Sequence, residues 1–144
     1  MEDKVKQVII IRKELKMRRG KEISQGAHAA MAFLTRRLTG SPSAYAEGCP
    51  PINGRKAHKL YSLFTTAEES QWIEGSFTKI TCQVETLEEI QALHEAALAA
   101  GLESNLMIDN GATEFHNVPT VTALAIGPDR SSKIDPITGG LKLL

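Results

Sequence analysis

Val5–Ile11 reads VKQVIII. The run is β-branched and nearly continuous, the pattern of a strand buried on both faces rather than one with a wet side. Such a strand needs helices over it, and the rest of the chain supplies them. A charged loop over 12–21 leads into a helical stretch from about Glu22 to Leu38, whose Ile23, Ala27, Ala30, Met31, Leu34 and Leu38 recur at helical spacing and should form its buried face. Residues 39–56 hold Gly40, Pro42, Gly48, Pro50, Pro51 and Gly54, a loop by composition and a long one for a compact domain. Residues 57–74 are expected to be helical, ending near Gly75. Thr78–Val84, TKITCQV, alternates as a strand does. Thr86-Leu87-Glu88-Glu89 is a capping box, and Leu87, Ile90, Leu93, Ala97 and Leu98 are the apolar stripe of the helix it opens, with Gly101 at its end. Ser104–Ile108 and Thr120–Ile126 are further strands, the second expected to stop at Gly127-Pro128. From Asp135 onward the tail is a turn followed by a short apolar end that docks. This order predicts an α/β fold with three layers, α/β/α, around a mixed four-stranded sheet.

The 144 residues fit a single domain spanning 1–144, with 39–66 as an insertion or flap. With 42% hydrophobic and 24% charged residues the composition excludes a disordered or collagen-like chain. No apolar run is long enough to cross a membrane, and the opening MEDKVK has no signal-peptide core, so the expected location is the cytoplasm. Cys49 and Cys82 lie 33 residues apart without a CxxC spacing, which suggests two reduced thiols. Net charge is zero, yet residues 1–60 carry 13 basic and five acidic side chains, whereas 61–114 carry one basic and ten acidic. The densest basic stretch is Arg12, Lys13, Lys16, Arg18, Arg19 and Lys21, interrupted only by Glu14. It reads either as a solvated loop or as a lip that neutralises phosphates. One Trp and few other aromatics argue against a platform that stacks single-stranded bases, so any nucleic acid would be held by its backbone.

Two constellations carry candidate chemistry. Lys21, Gln25 and His28 are spaced i, i+4, i+7, so they share one line of the first helix within about 60°, roughly opposite the centre of its apolar face. The bland reading is a solvent face with a stray histidine. Lys21 sits near the helix N-terminus, where cations are disfavoured, so a carboxylate or phosphate partner is expected. The second is Asp109-Asn110-Gly111-Ala112-Thr113, a turn whose carboxylate closes a strand and can orient a base or a water. Thr113 and Thr122 would add hydroxyl donors for an oxyanion or a nucleotide oxygen. His58, His94 and His116 form no HxxxH or HExxH pattern, and GxGxxG, GxxxxGK[ST] and GxSxG are all absent.

In chain order, KQVIIIR (Lys6–Arg12), MRRGK (Met17–Lys21), SQGAHAA (Ser24–Ala30), WIEG (Trp72–Gly75), Lys79, Gly101-Leu102, DNGAT (Asp109–Thr113), TALAIGP (Thr122–Pro128), Asp135 and TGGLKL (Thr138–Leu143) resemble the type II peptidyl-tRNA hydrolase family. The resemblance implies a mixed four-stranded sheet between helices and a protein often found as a homodimer. It also implies hydrolysis of the ester that joins a peptide to the 3′ end of tRNA, with peptidyl-tRNA as the partner. No metal or organic cofactor is implied. Carried over by position, the site residues are Lys21, Gln25, His28, Lys79, Asp109, Thr113 and Thr122; the basic lip, with Arg12, Lys16, Arg18 and Arg19, would then bind acceptor-stem phosphates. Of these, His28, Asp109, Lys21 and Thr113 would be catalytic, and Gln25, Lys79, Thr122 and the four basic residues would bind substrate. The chain departs from the family at Asn110, where alanine is usual, and at Pro119, where a glycine is usual, which bears on substrate range more than on reaction type. Asp109 and His28 are both candidates for deprotonating the water. The rival readings are a non-catalytic tRNA- or protein-binding module on the same fold, and a hydrolase or transferase of small esters or amides.

Overall fold

β1 (Val5–Arg12) occupies the middle of a five-stranded sheet in the computed structural model, which describes residues 2–40 and 46–144. A 3₁₀ turn (Lys13–Leu15) follows, then α1 (Arg19–Thr35), the two-residue strands β2 (Thr39–Gly40) and β3 (Tyr61–Ser62), α2 (Ala67–Glu74), β4 (Lys79–Val84) and α3 (Leu87–Ala99). The chain closes with β5 (Ser104–Asp109), β6 (Thr120–Arg130), α4 (Ser131–Thr138) and β7 (Lys142–Leu143). The main sheet runs β5-β6-β1-β4-β7, with β1 parallel to β4 and the other pairs antiparallel. Two compact units divide the chain: Met1–Phe33 with Thr65–Leu144, and Leu34–Phe64, in which β2 pairs with β3.

The fold is α/β with a mixed sheet, but the expected four strands are five. The addition is β7, whose Leu143 pairs with Cys82 and Lys142 with Gln83. Two residues carry no readable period, so the sequence shows only an apolar end. β6 does not stop at Gly127-Pro128 either. It runs on to Arg130 through a register shift opposite Lys6–Val8, a place where a proline without an N–H is tolerated. The helix expected over 57–74 is confined to Ala67–Glu74, opened by a capping box of Thr66 and Glu69. Of the expected loop 39–56, residues 41–45 lie outside the described residues.

The two faces of β1 feed two cores. Val8 and Ile10 join Cys82, Val84, Ile90, Ala97, Leu102, Leu124, Ile126 and Ile134. Ile9 and Ile11 join Met17, Ala29, Ala30, Ala32, Met107, Ala123 and Ala125.

α1 buries a different face from the one its large apolar residues suggest. Gln25, Gly26, Ala29, Ala30, Ala32 and Phe33 are buried, while Ile23 and Met31 are 66% and 55% exposed. Small side chains let the helix lie close on β1: a Cβ on Gly26 would meet Ile9 Cγ2 at 3.6 Å. The fully buried Gln7 of β1 donates its side-chain amide to Ala30 O at 3.0 Å. Close backbone approach and this bond set the helix's rotation, and the stripe of Lys21 and Gln25 therefore faces the protein.

Candidate active site

Asp109 ends β5, opposite Thr120 at the start of β6, and the N-terminal turn of α1 brings Lys21 to it. Lys21 Nζ lies 2.9 Å from Asp109 Oδ1 and donates to Thr113 Oγ1 at 2.8 Å. Gln25 Nε2, one turn along, donates to the same Oδ1 at 3.2 Å, and Gly111 N–H donates to Oδ2 at 2.9 Å. Behind them the fully buried Thr122 hydroxyl donates to Gln25 Oε1 at 2.6 Å. That bond fixes the amide's orientation, with its NH₂ toward the carboxylate. Lys21 and Asp109 side chains are only 14% and 12% exposed, so the pair is shielded from bulk screening. The Lys21 hydrogen bond holds the Asp109 carboxyl below the usual carboxylate range; burial opposes this, and Gly111 N–H and Gln25 assist it. Asp109 is thus an anion with three donors on it.

The other residues expected at the site fall into separate groups. Arg12 is bound to Glu14 and donates to Val121 O at 3.1 Å, and Glu14 also accepts from Leu87 N at 3.2 Å, so Arg12 fastens the end of β1 to its neighbours. Lys16, Arg18 and Arg19 are exposed, Arg18 with Glu114 3.9 Å away. His28 is exposed on α1, seven residues and therefore about 10 Å along the axis from Lys21. No hydrogen bond holds its ring among the described residues. Lys79 is not part of the Lys21–Asp109 cluster. It pairs with Gln7, five residues before Arg12 and so ~16 Å along β1 from that end. There its ammonium lies over the rings of Phe77 and Trp72, 3.3 and 4.8 Å from their centroids, and its pKa is lowered by desolvation.

Three contributors have no role assigned to them by the sequence: Gly111 and Asn110 read only as part of a turn, and Phe115 is not singled out. Gly111, at φ +83, donates to Asp109, and a Cβ there would stand 2.3 Å from Val118 O. The Asp-Asn-Gly run was the available signal, as such runs favour positive φ. Asn110 Oδ1 accepts from Ala112 N at 2.9 Å, so the departure from alanine adds a bond within the turn. Phe115 lies under the Lys21 ammonium at 5.8 Å from its ring centre, which nothing in the sequence announces.

Lys21 uses two of its three N–H donors on Asp109 and Thr113, leaving one for a carbonyl oxygen or a phosphate. Thr113 accepts from Lys21 and keeps its own proton to donate. The cluster can therefore hold an anionic or developing oxyanion group beside a fixed carboxylate. Among the described residues no three His, Cys, Asp or Glu side chains come together so as to hold a metal ion.

Residues 5–144 match the family model described as peptidyl-tRNA hydrolase PTH2. The chain is 36% identical to a peptidyl-tRNA hydrolase of Methanopyrus kandleri over 140 residues, covering 96% of this chain and 97% of that one. It is 34% identical to the peptidyl-tRNA hydrolase of Methanothermobacter thermautotrophicus, covering 97% and 100%. With that of Sulfurisphaera tokodaii it shares 32% identity over 96% and 98% of the two chains.

Proposed function

The chain belongs to the peptidyl-tRNA hydrolase PTH2 family, and from that premise we propose that the cluster around Lys21 and Asp109 hydrolyses the ester between a peptide and the 3′-terminal ribose of tRNA. One observation carries the reading: a single ammonium joins Asp109 and Thr113, 88 and 92 positions away. Water attacks the ester carbonyl and gives a tetrahedral intermediate. Its oxyanion takes the remaining N–H of Lys21 and the hydroxyl of Thr113. The three donors on Asp109 make it a weak base, so it orients Lys21 and the water. His28, exposed on α1 beyond Gln25, is too far along the helix to touch that water directly, so it takes the proton through an intervening water and returns it the same way to the departing ribose oxygen. The products are tRNA and a peptide carboxylate. Gln25 and Thr122 act from behind as positioning residues, because the Thr122 proton is already given to Gln25. Lys16, Arg18 and Arg19 lie open to acceptor-stem phosphates, and Lys79 to a more distant part of the substrate.

The two cores on opposite faces of β1 support a three-layer α/β/α arrangement. No helix among the described residues is long and apolar enough to cross a membrane, which fits work in the cytoplasm. The exposed Ile23 and Met31 support a homodimer in which a second copy covers α1. The whole chain is read as one functional domain carrying 39–66 as an insertion or flap.

Single-turnover reaction with an N-acetyl-aminoacyl-tRNA tests the activity. Release of the acyl group at saturating enzyme is expected. Tight binding with no release would overturn it in favour of a binding module, and cleavage of small esters alone would overturn the choice of substrate.

A further inference from the structure

Leu34–Phe64 holds five of the 17 basic side chains and one of the 17 acidic ones, so this unit is strongly cationic while the remainder of the chain is net acidic. Its charges stand on fixed supports. Asn53 and Gly54, at φ 49 and 77, form a two-residue turn closed by Ile52 N–H to Arg55 O at 2.8 Å and Arg55 N–H to Ile52 O at 2.9 Å. That turn sets Arg55. Lys56, His58 and Lys59 follow, all exposed, on either side of the buried Ala57; Lys56, Ala57 and His58 line a shallow hollow whose one acid is Glu47. Lys59 runs across the β2–β3 pair above Gly40, where a Cβ would collide with its Cε at 2.4 Å. Its ammonium comes to rest 5.2 Å from the centre of the Tyr61 ring. Arg55, Lys56 and Lys59 have no carboxylate partner among the described residues. Beside them Tyr61 is 54% exposed and Phe64 95% exposed.

Unpaired cations interleaved with open aromatic rings suit a nucleic-acid backbone and its bases. A membrane surface would call for a basic amphipathic helix, and within this unit the described residues hold only the end of α1. We propose that Leu34–Phe64 is an RNA-contacting unit whose Arg55, Lys56 and Lys59 bind phosphates of the tRNA body. The assignment rests on the hydrolase reading for its choice of RNA. Its phosphate contacts add to those of Lys16, Arg18 and Arg19.

The test compares the wild-type protein with an Arg55→Ala, Lys56→Ala, Lys59→Ala variant on two substrates: an N-acetyl-aminoacyl-tRNA, and a short N-acetyl-aminoacyl oligonucleotide holding only the 3′ end. The variant should raise KM for the full tRNA about tenfold more than for the oligonucleotide, with kcat unchanged. The slope of log affinity against log salt for uncharged tRNA should become shallower by roughly 2–3, as the loss of about three phosphate contacts requires. Equal KM values and equal slopes for both proteins would overturn the proposal, as would an equal loss on both substrates, which signals damage to the fold. A variant that loses affinity for vesicles of anionic phospholipid but not for tRNA would also overturn it. If the wild type cleaves neither substrate, the hydrolase reading fails, and the tRNA-binding slopes still decide this one.

Discussion

The Thr122 hydroxyl donates to the Gln25 side-chain carbonyl at 2.6 Å, joining β6 to α1 directly behind the Asp109 carboxylate. An amide held at its oxygen has one way to present its NH₂. Thr122→Val keeps the shape and leaves a buried carbonyl without its donor, which costs about 1–3 kcal/mol. A lower Tm and a severalfold fall in kcat are expected, with KM for the tRNA substrate little changed. A change in KM alone would mean that Thr122 touches substrate instead.

Asp109 links acid stability to the same cluster. Its folded pKa lies below the ordinary aspartate value, chiefly through Lys21, so the unfolded chain binds the proton more tightly than the folded one. The stabilisation is complete above the unfolded value of about 4 and is lost as pH falls through the depressed one. Denaturant melts of wild type and Asp109→Asn should therefore differ most at neutral pH and converge below about pH 4. A difference that does not vary with pH would contradict the assignment.

Gly111 is required for its backbone. Alanine there would have to adopt φ +83 with its Cβ against Val118 O, at a cost of at least ~2 kcal/mol. Because Gly111 N–H holds Asp109 Oδ2, Gly111→Ala should lose activity beyond what its Tm predicts. Wild-type kcat in a folded Gly111→Ala protein would show that this donor is dispensable.

Within the basic lip two kinds of arginine separate. Arg19 is exposed, and Arg19→Ala should weaken tRNA binding and reduce its salt slope by about 1. Arg12 is tied to Glu14 and Val121 O, so Arg12→Ala should lower Tm and leave the slope unchanged. Salt titrations and thermal melts on the two variants would expose the opposite pattern.

Much of this was legible because local chemistry is written locally. Spacing put Lys21 and Gln25 on one line of α1, and the place of Lys21 near the helix N-terminus asked for an anion, which Asp109 supplies. The strand VKQVIII declared a covered sheet. What the sequence hid depends on the close fit of distant surfaces. The buried face of α1 follows Gly26 and Ala29 rather than Ile23 and Met31, because approach to Ile9 and the Gln7 bond outweigh side-chain size. β7 exists only because β4 offers it an edge. The contacts of Arg12 with Glu14 and Val121 O could not be read from a basic stretch alone, because Val121 lies 109 positions away.

The central claim is that Lys21 and Asp109 act as one unit on the ester of peptidyl-tRNA. Single-turnover rates with N-acetyl-aminoacyl-tRNA should be measured for wild type, Lys21→Met, Asp109→Asn and the double variant, each checked for folding. Each single variant should fall by about 10²–10³, the scale of losing one oxyanion donor, and the double variant should be no slower than the worse single one. Wild-type rates in both folded single variants would contradict the account.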